Sequence, residues 1–134
     1  MTKRTHFPIA NMVATALALL FLFFLFTAPR KYLVTFTAKL RDKAREAEYA
    51  VLGGDMEAVD TAAAQMCADF EASEQPLKLF LNHEDVNELR ASIFAVRDLT
   101  MIDERGNLLS ELQNVFRIID HLDASETLNL YNLF

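Results

Sequence analysis

The chain has 134 residues, and its 13 Lys plus Arg against 19 Asp plus Glu give a formal net charge of −6. That length supports one domain with one core, and the acidic balance argues against nucleic acid as a partner, because neutralising phosphates needs a basic surface. The single cysteine, Cys67, rules out an intrachain disulfide and leaves the redox compartment unread.

A short tail, residues 1–7, carries Lys3 and Arg4. It is followed by "PIANMVATALALLFLFFLFTA", 21 uncharged residues from Pro8 to Ala28. At about 1.5 Å per residue such a helix spans roughly 30 Å, the thickness of a bilayer's hydrocarbon, so residues 8–28 are expected to form a transmembrane anchor in the lipid bilayer. A cleaved signal peptide fits less well. Its apolar core is usually shorter, Phe26 occupies the −3 position before Ala28, and Pro29 follows the bond. Pro8 suits a first helical turn, where its missing N–H would be unpaired in any case.

The charge is unevenly spread beyond the anchor. Residues 30–45 hold six basic residues against Asp42 alone, whereas five basic residues face eighteen acidic ones from residue 46 onward. A basic stalk of this kind suits anionic headgroups, and equally a solvated helix face. The positive-inside count favours a cytoplasmic C-terminal domain, while a short basic N-terminal tail retained inside places that domain outside; the extracytoplasmic placement is the expectation.

Leu33, Phe36, Leu40, Ala44, Ala47 and Val51 step by three and four residues, one face of a helix over about 30–52, with a kink expected at Pro29. Gly53-Gly54 ends it, and Asp55 caps a second helix whose face is Met56, Val59, Ala63, Met66 and Phe70. So short a turn requires the two helices to lie antiparallel. Pro76 disfavours helix at Gln75, so a break is expected near residues 73–75 before Leu77, Leu79, Phe80 and Leu81 pack as a further turn or two. In "LFLNHEDVNELRASIF", Asn82 is a favoured N-cap, and Glu84 and Asp85 fall in the first turn, where free N–H groups favour negative charge. The face Val86, Leu89, Ile93 and Val96 continues that third helix to about Ile102. A fourth follows "DERGN", with Leu108, Leu112, Val115, Ile119 and Leu122. Asp123 and Glu126 have capping-box spacing, so a cap is expected at Asp123, opening an apolar tail, residues 124–134. Its Leu130, Tyr131, Leu133 and Phe134 are candidates for a partner surface. With no sustained strand alternation, the expected fold class is all-α: a membrane helix, then an antiparallel up-and-down bundle of about four helices over residues 29–134.

Chemistry finds little support. His83, Glu84, Asp85 and Glu88 invite a metal reading, but position 87 is Asn, so H-E-x-x-H is missing, and His121 with Asp120 and Asp123 supplies no repeated Glu-x-x-His pair. No serine sits in a Gly-x-Ser-x-Gly turn, Cys67 is expected as a small buried side chain, and Gly53-Gly54 fits a helical turn and not a phosphate loop. No enzyme, cofactor or metal site is expected.

"GGDMEAVDTAAAQM" resembles the turn and helix of one tetratricopeptide hairpin, though three are normally needed for a stable array. The anchor, "GDMEAV", "LKLFLNHEDVNELRASIF" and the closing "NLYNLF" together resemble a family catalogued only as a domain of unknown function: short, single-pass, all-helical proteins of Gram-positive bacteria. That resemblance implies an anchored accessory or scaffold protein with no known activity that accompanies a multi-pass membrane protein. The alternative is a bundle that senses or binds a small ligand or cation.

Overall fold

The structure, a computed structural model, describes residues 7–131 and the side chains of residues 9–125. Four helices make up the described chain: α1 Phe7–Gly53, α2 Met56–Phe80, α3 His83–Met101 and α4 Arg105–Tyr131, with no strand among the described residues. The chain divides into two units, Met1–Tyr32 and Leu33–Phe134, and α1 contributes to both.

In the first unit every side chain from Ile9 to Thr27 is exposed. A helix that is apolar on all sides has no polar face to give to water, and this one is long and apolar enough to cross a membrane. Its hydroxyls are satisfied within the helix: Thr15 Oγ1 donates to the Asn11 carbonyl at 2.8 Å, and Thr27 Oγ1 to that of Phe23 at 2.8 Å. Such back-bonding lets threonine sit in a low-dielectric surrounding without an orphaned donor. Pro29 lies inside α1, which continues through it.

The second unit is an antiparallel bundle whose core is built from the stripes the spacing predicts. Leu33, Phe36, Leu40, Ala44, Ala47 and Val51 of α1 are buried with Val59, Ala63, Met66 and Phe70 of α2, and so are the named faces of α3 and α4. Ion pairs and side-chain bonds fix the direction and register. As α3 positions rise through Asp85, Glu88 and Ser92, their α4 partners fall through His121, Arg117 and Asn114. Likewise Thr37, Arg41 and Glu48 of α1 meet Asp123, Asp120 and Gln113 of α4. Consecutive helices joined by short turns must run this way, and the α1–α4 pairs close the set.

Gly54 explains the first turn. Its φ of +79° is in the left-handed region, where glycine carries no Cβ penalty, and its N–H reaches the Val51 carbonyl at 3.1 Å. The α3–α4 turn instead places Asp103 at φ 52°, a conformation that aspartate tolerates better than most residues.

Two expectations are corrected. Pro76 does not break α2, which runs unbroken to Phe80. The proline removes one hydrogen bond, to the Ala72 carbonyl, but Ala72 is exposed, so water can satisfy that oxygen. Burial of Leu77 and the 2.7 Å Lys78–Glu74 pair, which straddles the proline, hold the helix together. Nor does Asp123 open a new segment: α4 passes through it to Tyr131. Its carboxylate accepts from Thr37 Oγ1 at 2.9 Å and Arg41 Nη2 at 3.1 Å, both on α1, and so ties α4 to the first helix.

Candidate functional site

The polar residues singled out in the sequence are distributed along helix starts and seams. Asp55 accepts from the Ala58 N–H at 3.0 Å, and Asn82 from the Asp85 N–H at 2.7 Å, each satisfying one orphan donor of a first turn. Asp85 then lies 3.8 Å from His121, and Glu88 pairs with Arg117. The histidine and carboxylates of residues 83–88 therefore diverge along the α3–α4 seam: His83 and Glu84 are exposed, and the others are held by α4. Among the described residues no three His, Cys, Asp or Glu side chains are grouped so as to hold a metal ion.

The seams are closely matched. Ser92, buried on α3, donates to Glu111 at 2.7 Å and accepts from Asn114 at 2.6 Å. On the α2–α3 side Arg97 pairs with Asp60, which also accepts from Thr100 Oγ1 at 3.1 Å. Glu74 takes Lys78 from its own helix and Arg90 from α3 at 3.0 Å, and the Lys78 bond is the main reason its carboxyl titrates below the ordinary 4.5. Arg90 also lies over the Phe94 ring, 5.5 Å from its centre. No buried side-chain polar atom among the described residues lacks a partner. Such pairs fix which helix meets which, and at what register, more than they add stability, because partly exposed pairs are screened by water.

Cys67 faces the α2–α3 seam with Sγ 3.9 Å from the Ile93 carbonyl. Burial, outweighing the neighbouring Arg97, pushes its thiol above the ordinary value of 9.0. A thiol so shifted stays protonated near neutrality, the opposite of an activated nucleophile.

Among the described residues, the strongly exposed large apolar side chains of the bundle lie toward its two ends. At one end Tyr49 and Leu52 of α1 stand with Met101 and Ile102 of the α3 terminus, all strongly exposed. The two turns meet there: a Cβ on Gly54 would lie 3.6 Å from the Arg105 guanidinium. At the other end Leu79 is 80 % exposed, the most exposed large apolar residue of the bundle among those whose side chains are described. The sequence reading assigned Leu79 to packing, because an apolar residue beside Leu77 and Leu81 offers no signal of which side it takes; only the observed phase of α2 turns it outward. Tyr49, Leu52, Met101 and Ile102 were not singled out at all, although each falls outside the core spacing of its helix. Of the proposed partner surface, Leu130 and Tyr131 belong to the last turn of α4, with side chains outside those described, and Leu133 and Phe134 lie outside the described residues altogether.

Residues 27–133 match the family described as a domain of unknown function, DUF4363, and the chain belongs to that family. The match begins at Thr27, so the apolar segment, which the resemblance had included, lies outside it. No curated protein and no solved structure gives a match.

Proposed function

We propose that this member of the family is a membrane-anchored, non-enzymatic accessory or scaffold protein: α1 fixes the acidic bundle to a bilayer, and the bundle binds a multi-pass membrane protein. The observation that carries the reading is the run Ile9–Thr27, exposed at every position and followed directly by a bundle with a complete core of its own. Apolar burial is worth about 25 cal/mol per Å², so so large an exposed surface requires an apolar surrounding that the bundle does not provide. The satisfied seams and the protonated Cys67 thiol suit a structural role. The extracytoplasmic side remains the expected placement, with the tail 124–134 among the surfaces offered to the partner.

The test is extraction of membranes at alkaline pH, followed by affinity capture in mild detergent. The full chain is expected to stay with the lipid and to bring a membrane protein with it. Release of the intact chain into the alkaline supernatant overturns the anchoring, and equal capture by a chain lacking residues 124–134 removes the tail from the partner surface. A small-ligand role has one observation in its favour, a shallow open cleft between α1 and α2 lined by Lys43, Glu46, Asp55, Glu57, Thr61 and Gln65. That reading predicts a thermal shift with a metabolite or cation.

A further inference from the structure

We infer that the α2–α3 turn, centred on Leu79, is a second lipid contact, seated in the headgroup boundary of the bilayer that receives the apolar segment. The inference rests on the anchoring proposed above and deepens it.

Three observations lead to it. The first is chemical. Leu79 stands between Lys78 and Phe80 at the end of α2, where the Leu81 N–H closes on the Leu77 carbonyl at 2.8 Å; Leu77 and Leu81 turn toward the core and Leu79 turns away from it. A strongly exposed aliphatic side chain at a helix terminus, beside the Lys78–Glu74 pair, suits the boundary between acyl chains and headgroups, where apolar surface and charge lie side by side.

The second is position within the bundle. The 2.8 Å Lys39–Asp69 pair sets the register of α1 against α2 and puts Leu33 about level with Gln75. Leu79 therefore lies about one helical turn beyond the first core residue of α1, at the end where the chain enters the bundle.

The third is reach. From Ala28, the last residue of the apolar run, to Leu33 is five residues, which span at most about 18 Å in any conformation. Leu33 therefore stays within that reach of Ala28, and of the two apolar ends of the bundle the one with Leu79 is the nearer to Leu33 along the helices. The opposite apolar end, with Tyr49, Leu52, Met101 and Ile102, is separated from Leu33 by most of the bundle's length, about 27 Å of helix between Leu33 and Val51. Lipid is thus the occupant fitted to Leu79 and not to the far end. A contact so small has little affinity alone and depends on the anchor to hold it at high effective concentration.

The chain contains no tryptophan, so single reporters can be placed without background. The full chain is reconstituted in phosphatidylcholine and phosphatidylglycerol vesicles, with and without lipids brominated high on the acyl chain. Three variants are compared: Leu79→Trp, Phe24→Trp within the apolar segment, and Tyr49→Trp at the far end. Brominated lipid is expected to quench Leu79→Trp and Phe24→Trp about twofold or more and Tyr49→Trp hardly at all. Quenching of Phe24→Trp without Leu79→Trp overturns the second contact and leaves the anchoring intact; quenching of neither overturns both. Equal quenching at Leu79 and Tyr49 also overturns it, since the bundle would then meet lipid without a preferred end. Phe80→Trp is a second reporter for the same turn should Leu79→Trp fold poorly by circular dichroism, and an unquenched signal there counts equally against it.

Discussion

The two units handle apolar residues in opposite ways. From Ile9 to Phe26 they surround the helix on every side and none is buried, whereas from Leu33 onward those that recur every three or four residues are enclosed in a core. Composition and arrangement both differ: the run 8–28 carries no charge, whereas the bundle places charged residues between its apolar ones. Phe24 and Phe70 are the same side chain, yet Phe24 is exposed and Phe70 is fully buried in the bundle. The lesson is that a helix with one apolar face and one charged face can bury itself against its own chain, whereas a helix apolar on every side needs a surrounding supplied from outside.

The sharpest way to break that comparison is to make one substitution in both regions. Phe70→Ala removes a ring from a filled core and is expected to destabilise the bundle by about 3–5 kcal/mol, lowering the thermal midpoint of the full chain in detergent. Phe24→Ala is expected to leave that midpoint within about 0.5 kcal/mol, as for a residue without core contacts. Equal losses would mean that the two regions share one core.

A smaller effect tests whether the helix starts of the bundle depend on their caps. Asn82→Ala leaves the Asp85 N–H without its side-chain partner and is expected to cost about 1 kcal/mol, read as a shift of the urea midpoint at unchanged slope. Asn82→Asp is expected to restore most of it.

The smallest effect concerns charge. Because the Lys78 bond and Arg90 lower the Glu74 carboxyl below its ordinary 4.5, the folded state binds that proton less readily than the unfolded chain. The resulting stabilisation is complete above the ordinary carboxylate range, declines as pH falls through 4.5, and is gone once pH is below the folded value. The urea midpoint of the wild type is therefore expected to exceed that of Glu74→Gln at pH 7 by less than the cap effect, and the difference is expected to vanish on acidification. A difference that persists in acid would assign the effect to packing of the side chain.

The comparison also separates what was readable in advance from what was not. The core faces were legible because burial against neighbouring helices imposes a period of 3.6 that no other arrangement of these residues satisfies; all six α1 positions from Leu33 to Val51 are buried as expected. The caps at Asp55 and Asn82 were legible because their bonds are local, three residues apart. Pro76 and Asp123 were misread for one shared reason. A local rule, that proline interrupts and that aspartate before an acidic residue starts a helix, was outweighed by the burial of Leu77 and the Lys78–Glu74 pair in one case, and by Thr37 and Arg41, distant in sequence, in the other.

The sequence by itself therefore determined the uncharged span, the four helical stripes and the two local caps, since each depends on neighbours within a turn or two of the chain. Only the tertiary structure decided the continuity of α2 and α4, the pairing of seams such as Ser92 with Glu111 and Asn114, and the outward placement of Leu79. These depend on helix phase and on contacts between residues sixteen or more positions apart, and the energies that select them belong to packing and not to local propensity.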